Sequence, residues 1–309
     1  MIRSKRFTLR PWWHVYLKYF SEVGHVTKRF NLWDSRLTQL FQGRRRRRLA
    51  KTIPALSAAQ NHLLQELNSN GFCRTTLETL GIDHAVLSYL KQLSKPYENM
   101  TFDQVKASNP GKAKYYWTKM NRDWKADQVI YDTLAKNKFL LDLLSKYFEE
   151  IPYFNSFEYM YSPPFPAGRP FEGSQNWHRD NNQRKFIKIF FSPFPLTRKE
   201  GPPQILPARL STDKYYTGYP RYMTDEELFA TGINPDDQLF LTGEPGTIYL
   251  VDTARCLHCG SRSSAGRHQA IVTFNSTDRY ASRSSIKREY ARLAEPVNQA
   301  MMEMYEKSL

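Results

Sequence analysis

Three side chains that can bind a metal ion stand in order along the chain. His178 and Asp180 are separated by one residue, so on an extended strand both side chains point to the same face. An imidazole nitrogen and a carboxylate oxygen on one face can occupy adjacent positions on a divalent metal. His258, which lies 78 residues after Asp180 and beyond the β-prone segment TIYLVD, is the best candidate for a third ligand.

Two histidines and one carboxylate on one face of an octahedral metal leave three positions open, which is typical of non-haem Fe(II) sites that activate oxygen. Arg267 lies nine residues beyond His258, at the start of the β-prone segment RHQAIVTF. A guanidinium there can form two parallel hydrogen bonds with a carboxylate. The pattern therefore predicts an iron centre beside an anchoring site for a dicarboxylic cosubstrate.

Helical patterns fill the first half of the body of the chain. Residues 57–60 have capping-box spacing and precede a leucine stripe, and Gly71 is typical of a helix end. A short strand is predicted at 72–76. Amphipathic helices are predicted over 83–94 and 126–150.

From about residue 153 the pattern changes to short β-prone runs separated by Pro- and Gly-rich turns. The runs are FEYMY (157–161), KFIKIFF (185–191), TIYLV (247–251) and AIVTF (270–274). Helices followed by strands predict an α+β fold in which the helices brace one face of a β-sandwich.

Several motifs follow one another in a specific order: WHRD at 177–180, GPPQILP at 201–207, PGT at 245–247 within PGTIYLVD, HCG at 258–260, and Arg267. In this order and spacing they resemble the phytanoyl-CoA dioxygenase-like family. The segment LLQELNSNGFCRTTL (63–77) is similar to the helix and first strand that open such domains. The resemblance covers roughly residues 57–278, and residues 1–56 have no counterpart in it.

The resemblance implies a double-stranded β-helix core, of the jelly-roll or cupin-like kind, and a dioxygenase that uses Fe(II), 2-oxoglutarate and O2. His178, Asp180 and His258 would then be the iron ligands, and Arg267 would bind the distal carboxylate of 2-oxoglutarate. The expected reaction hydroxylates an unactivated C–H bond of a small-molecule, lipid or glycan substrate, with decarboxylation of 2-oxoglutarate to succinate and CO2. Because Asp180 is present, hydroxylation is expected rather than halogenation.

Some assignments within this site stay open. Arg262 is a second candidate for the anchoring role. Lys188 and Tyr161 are expected to face the cavity from neighbouring strands and to assist 2-oxoglutarate binding, although each is equally consistent with an ordinary strand residue. Gly260 sits where several family members offer a hydroxyl, and Ser261 is the available substitute.

Two other chemistries fit parts of the pattern. The HRD triplet also occurs in the catalytic loop of protein kinases, but that loop needs an Asn where this chain has Lys185, and the sequence contains no DFG triplet. Cys256 and Cys259 form a CxxC that suggests zinc or redox chemistry, but a structural zinc needs about four ligands. Three cysteines make no disulfide framework and indicate a reduced, cytoplasmic setting.

The N-terminal arm is strongly basic. Residues 1–51 contain fourteen Lys or Arg and two acids, so they carry +12 of the formal net charge of +15. The segment 11–41 has a Trp- and cation-rich helical pattern, which fits a helix lying on a membrane surface or one packed on the body. The run Arg44–Arg48 is typical of a solvated segment, or of a site for lipid headgroups, an anionic glycan or nucleic acid.

We therefore predict a basic, aromatic-rich arm (1–56), an oxygenase domain braced by N-terminal helices (57–285) and a C-terminal helix (286–309). The expected partners are the small-molecule, lipid or glycan substrate and, for residues 1–51, an anionic membrane surface. Nucleic acid is disfavoured because the body is nearly neutral. The expected location is the cytoplasm, peripheral to the membrane. The alternative function is a non-catalytic β-sandwich binding protein whose arm contacts membrane or nucleic acid.

Overall fold

The computed structural model describes the following residues: 43–98, 100–108, 117–120, 127–180, 185–211, 222–276 and 285–307. The helical pattern predicted over residues 11–41 lies outside these ranges.

Six of the eight helices that the structure describes lie in the first half of the chain. Their bounds are α1 (43–50), α2 (Ala58–Asn70), α3 (Ala85–Ser94), α4 (Phe102–Ser108), α5 (Gln128–Ile130), α6 (Lys138–Phe148), α7 (Asp225–Phe229) and α8 (Ser285–Glu306). Short 3₁₀ turns lie at Lys95–Tyr97, Gly173–Gln175, Arg198–Glu200 and Pro235–Asp237. A π-helical turn, Tyr131–Ala135, follows α5 directly.

The local signals at the ends of α2 act as predicted. The Ser57 hydroxyl accepts from the backbone N–H of Gln60, and the Gln60 side-chain oxygen accepts from the backbone N–H of Ser57. These two bonds satisfy donors that the first helical turn leaves open. The helix ends at Gly71, whose φ of 79° suits a residue without a Cβ. The pattern over 126–150 was predicted as one helical region, and it is interrupted before Asn137, which caps α6.

The strands form two antiparallel sheets. Their bounds are β1 (Phe72–Thr76), β2 (Trp117–Met120), β3 (Tyr153–Ser162), β4 (Phe186–Phe191), β5 (Gln204–Ile205), β6 (Leu239–Phe240), β7 (Thr247–Asp252), β8 (His258–Cys259) and β9 (Arg267–Asn275). The large sheet has the order β1-β7-β4-β9-β3-β2, and the small sheet has the order β6-β5-β8. Three of the β-prone runs of the sequence lie within β3, β7 and β9, and the fourth (185–191) starts one residue before β4, so these strands are confirmed.

The two faces of the large sheet have different surroundings because successive strand residues point to opposite sides. One face packs on the helices and forms the main core, with Phe157, Ile189 and Val272 as representative sheet residues. Each fully buried apolar side chain of this kind contributes about 1.5–3 kcal/mol. The other face, which includes Phe190 and Ile271, packs against the small sheet. The space between the two sheets is the interior of the barrel.

Helix α1 corrects one expectation about the arginine run. Arg46 is buried and donates to the backbone oxygens of Ile151 and Pro152, at 3.1 and 2.7 Å. Leu49 and Ile53, just beyond the run, belong to the main core. The run is therefore not a purely solvated segment: its helical spacing turns one arginine inward, where backbone carbonyls replace water.

The α+β class is confirmed by this arrangement. No helix within the described ranges is both long and apolar enough to cross a membrane. Nothing in the described part of the chain supports the predicted contact of residues 1–51 with an anionic membrane, and most of those residues lie outside it. The division at residues 56 and 285 stays a prediction.

Candidate metal centre

The segment that carries His178 pairs with β8, which carries His258. His178 N–H donates to the His258 carbonyl at 3.0 Å, and His258 N–H donates back at 2.9 Å. This reciprocal pair holds the two residues directly opposite each other. Asp180 N–H donates to the carbonyl of Thr253 at 2.9 Å, which ties the third residue to the end of β7. Three backbone bonds therefore bring together residues that are far apart in the sequence.

The three side chains converge as the spacing predicts. One potential ligand atom from each of His178, Asp180 and His258 lies within 4.8 Å of the other two. The two imidazole centroids are 4.2 Å apart, and His258 Nε2 lies 3.7 Å from Asp180 Oδ2. Spacing of this kind is small enough for one divalent ion to contact all three groups.

Each imidazole is oriented by its own backbone. His178 Nδ1 lies 2.9 Å from the carbonyl of Asn176, and His258 Nδ1 lies 3.1 Å from the carbonyl of Cys256. A carbonyl oxygen can only accept, so Nδ1 carries the proton in both rings and Nε2 is left as a lone-pair donor. This is the tautomer that a metal requires.

The charges within the group also suit a cation. Burial lowers the pKa of His258 to about 3, so this imidazole is neutral at physiological pH. Burial alone would raise the pKa of Asp180, but Lys188, His258 and His178 together outweigh it, and the carboxyl pKa lies well below its usual range. Lys188 Nζ is 2.6 Å from Asp180 Oδ2. The group therefore offers two neutral nitrogens and one ionised carboxylate.

Arg267 begins β9 on the inner face of the large sheet and is buried. Its Nη1 donates to the carbonyl of Gly201 at 2.5 Å, and its Nη2 donates to Ser261 Oγ at 3.0 Å. Ser162 Oγ lies 3.4 Å from the same Nη2. Its Nε has no hydrogen-bond partner, and no carboxylate of the described residues forms an ion pair with the guanidinium. Burial lowers the pKa of Arg267 to about 10.

Arg262, the competing candidate, has a different environment. Its Nη1 donates to both carboxylate oxygens of Asp225 at 2.9 Å, and its Nε donates to the carbonyl of Gln175 at 2.7 Å. Asp225 also accepts from Trp177 Nε1 at 2.6 Å. Arg262 thus has its own carboxylate and holds the segment that leads into His178.

The backbone between His258 and Arg267 contacts the guanidinium of Arg267 at Gly260 and Ser261. A Cβ at Gly260 would lie 3.6 Å from Arg267 Nη1, in ordinary van der Waals contact, so Gly260 lies directly beside the guanidinium. Ser261 has a φ of 59°, which is strained for a residue with a side chain. That conformation places its hydroxyl against Arg267.

Tyr161 lies outside the group. Ser162, its neighbour in β3, contacts Arg267, and successive strand residues point to opposite faces. The Tyr161 hydroxyl donates to the carbonyl of Met100 at 3.1 Å, and its ring packs on His268 at 4.6 Å. This placement gives no support to its predicted role in 2-oxoglutarate binding. Lys188, by contrast, does face the cluster.

The CxxC does not form a metal site of its own. Cys256 and Cys259 are free thiols that pack in two different apolar clusters. Burial raises the pKa of both to about 12, so neither is a thiolate.

Sequence reasoning missed Glu158, a β3 residue on the inner face whose charge acts on Lys188 and Asp180. The available signal was its position in FEYMYS, where it alternates with three buried aromatic residues of the opposite face.

The sequence matches no family model and no curated protein sequence, but its structure is similar to solved ones. EctD from S. alaskensis with bound Fe is 18% identical, with a TM-score of 0.50 over 78% of this chain and 85% of that chain. AviO1 from Streptomyces viridochromogenes Tue57 is 13% identical, with a TM-score of 0.48 over 74% of this chain and 99% of that chain. EvdO2 from Micromonospora carbonacea var. aurantiaca complexed with 2-oxoglutarate is 14% identical, with a TM-score of 0.46 over 76% and 97%. The chain therefore has the double-stranded β-helix fold that its sequence motifs predict, and it shares this fold with the iron-bound EctD structure.

Proposed function

We propose that this protein is an Fe(II)- and 2-oxoglutarate-dependent dioxygenase that hydroxylates an unactivated C–H bond of an organic substrate. One observation carries the proposal. Two imidazoles and a carboxylate converge at one point. The buried guanidinium of Arg267, which forms no ion pair among the described residues, contacts Ser261 and lies beside Gly260, directly after the strand that carries His258. The first feature suits a metal with open positions, and the second suits a carboxylate.

The donor set fits a ferrous ion. In the neutral rings Nε2 carries the lone pair, because both Nδ1 atoms donate to backbone carbonyls. Two nitrogens and one carboxylate oxygen leave half of an octahedral shell open, whereas a structural zinc site closes its shell with four protein ligands. His178, Asp180 and His258 would hold the ion.

Arg267 fits the distal carboxylate of 2-oxoglutarate. A carboxylate there adds charge-assisted hydrogen bonds and offsets the cost of burying the guanidinium. The hydroxyls of Ser162 and Ser261 hold the guanidinium in place. Arg262 is the weaker candidate because its guanidinium already forms an ion pair with the Asp225 carboxylate.

When bound, Fe(II) and 2-oxoglutarate supply the oxidation, in which substrate C–H, O2 and 2-oxoglutarate become alcohol, succinate and CO2. The side chains of this chain contribute position and charge. The reciprocal backbone pair of His178 and His258 fixes both rings, and the Thr253 carbonyl fixes Asp180. Lys188 keeps Asp180 ionised and adds positive charge beside the position of an anionic cosubstrate.

The test is an anaerobic titration of the metal-free protein with Fe(II) and 2-oxoglutarate. The wild type is expected to develop the weak visible metal-to-ligand absorption band and to release succinate once O2 is admitted. Asp180→Ala is expected to lose both signals because the charged ligand is gone. Asp132→Ala, which removes a half-exposed carboxylate paired with Lys136, is the matched control and should keep both. A wild type without the band, or an Asp180→Ala variant that still consumes 2-oxoglutarate, would contradict the proposal.

A further inference from the structure

The inner face of the large sheet combines an apolar cluster with one polar row. Phe72, Val251, Tyr249, Phe190 and Ile271 pack in the apolar cluster against the small sheet. Beside it, β4, β9 and β3 place Lys188, Thr273 and Ser156 in one row across the sheet. A core that serves only stability has little use for such a row, because each buried polar group needs a partner.

Glu158 and Asn275 flank this row on the same inner face. Glu158 lies one inward position from Ser156 along β3, and the ammonium of Lys188 forms its ion pair with Asp180 instead of the Glu158 carboxylate. Asn275 lies one inward position from Thr273 along β9. Its side chain is 1% exposed, and its Oδ1 has no hydrogen-bond partner. Both residues offer acceptor oxygens that the described residues leave unused.

Glu158 also lies close to the metal group. Burial raises the pKa of Glu158, and Lys188 opposes that effect while Asp180 adds to it. Lys188 in turn contacts Asp180 at 2.6 Å. In the sheet, Glu158 lies on the same inner face as Lys188, with β9 between their strands and an offset of two residues in register. A substrate that extends from Lys188 across β9 would reach the Glu158 carboxylate.

We propose that the pocket beside the metal group recognises an uncharged, hydroxyl-bearing substrate, and that Glu158 accepts a hydrogen bond from one of its hydroxyls. This inference rests on the proposed function and names the substrate class for it. Asn275 is assigned a second acceptor position in the same pocket.

The balance of charge favours a neutral substrate over an ionic one. Among the metal group and the described inward residues of β3, β4 and β9, the acidic groups Asp180 and Glu158 equal in number the basic groups Lys188 and Arg267. Fe(II) and the 2-oxoglutarate dianion match each other. An uncharged substrate keeps this balance, whereas a carboxylate or an ammonium leaves a net charge in a buried space.

The same acceptors select against a bare hydrocarbon chain. An alkyl group against Glu158 and Asn275 would leave both oxygens dehydrated and unpaired, at a cost of about 1–3 kcal/mol each. A hydroxyl satisfies an acceptor while it displaces water. Sites built to bind a hydroxyl discriminate strongly against analogues that lack it.

In the experiment, three matched sets of probes are added to the Fe(II)/2-oxoglutarate complex of the full chain, and their effects are compared. The sets are monosaccharides and polyols, their amino-substituted analogues, and straight-chain acyl thioesters. Two signals are measured, namely the change in the visible band without O2 and succinate release with O2. At least one hydroxylated probe is expected to shift the band and to raise succinate release about tenfold over the probe-free rate, a gain worth roughly 1.4 kcal/mol. The other two sets are expected to do neither.

Substitutions of Glu158 then test whether this residue is responsible for the response to the hydroxylated probe. Glu158→Leu is expected to abolish the shift caused by the hydroxylated probe and Glu158→Gln to weaken it, each measured against the probe-free band of the same variant. Glu303→Leu, which replaces an exposed glutamate of α8, is the control and should respond as the wild type does. The inference is overturned if only acyl or amino probes respond, if no hydroxylated probe responds, or if Glu158→Leu responds normally. Failure of the proposed function is distinct, because then the wild type shows no band before any probe is added.

Discussion

The two faces of the large sheet differ in how their buried charged groups are paired, although Thr75 Oγ1 on the helix side also lacks a hydrogen-bond partner. Behind the sheet, on the helix side, the Tyr147 hydroxyl donates to Asp252 at 2.6 Å and accepts from Arg255 at 3.0 Å. Arg255 also donates to the backbone of α2, so the acid, the phenol and the cation form one closed network. On the inner face, Arg267 Nε and Asn275 Oδ1 are buried without partners.

We interpret this difference as one between polar groups that stabilise the fold and polar groups that bind ligands. A buried polar group without a partner costs about 1–3 kcal/mol, so a fold keeps one only where something else requires it. The helix side therefore carries polar residues that stabilise the protein. The inner face carries polar residues with unpaired hydrogen-bonding atoms, which we propose bind ligands. Substitutions on the two faces should differ in which property they change.

The largest effect is expected on the helix side, from Phe154→Ala. Phe154 is fully buried and packs on Phe274 and Tyr131 at centroid distances of 5.6 and 5.1 Å. The cavity should lower the free energy of unfolding by about 3–5 kcal/mol, measured by denaturant unfolding. Phe171→Ala, at a 37% exposed ring, is the control and should change stability much less. Equal losses in the two variants would show that the helix side is not the main source of stability.

The next effect is expected on the inner face, from Arg267→Met. This change should weaken 2-oxoglutarate binding about 100-fold, or roughly 2.7 kcal/mol. It should leave the ligand-free protein as stable or more stable, because it removes a buried charge that has no carboxylate partner. Calorimetric binding and denaturant unfolding measure the two quantities.

Arg262→Met is the matched variant and should do the reverse. It breaks a two-oxygen pair with Asp225, so stability should fall while 2-oxoglutarate binding by the folded protein is largely kept. If Arg262→Met abolished 2-oxoglutarate binding and Arg267→Met did not, the assignment of the two arginines would be wrong.

The smallest effect is expected from Tyr147→Phe, which removes one hydroxyl from the closed network. Asp252 and Arg255 would each lose a partner, and the free energy of unfolding should fall by about 1.5 kcal/mol. Fe(II) affinity should change little because Asp252 keeps its bonds to the backbone N–H groups of Phe186 and Ala254. A large loss of Fe(II) affinity at unchanged stability would show that the two faces are coupled.

Much of the fold could be predicted because its signals are local. The cap and the terminal glycine of α2 act within a few residues, and the alternation within β3, β4, β7 and β9 acts within each strand. The interruption before α6 was missed because a helical pattern alone does not show where Asn137 will turn back to cap a new helix.

The arginine run was misjudged for a related reason. Five consecutive arginines look alike in the sequence, and only the rotation of α1 against the core decides that Arg46 points inward to Ile151 and Pro152. The same holds for Tyr161 and Lys188, which were predicted together. Lys188 lies on the face of its strand that contacts Asp180, whereas Tyr161 lies on the opposite face of the sheet and contacts Met100.

The order and spacing of the motifs were enough to predict the ligand set, because the one-residue separation of His178 and Asp180 and the strand before His258 are properties of neighbouring residues. Only the tertiary structure decided how the two arginines differ, since Asp225 reaches Arg262 from 37 positions away. It also decided that Glu158 shares the inner face with Lys188, two residues away in register across β9, because the pairing of antiparallel strands joins residues whose separation in the chain carries no periodic signal.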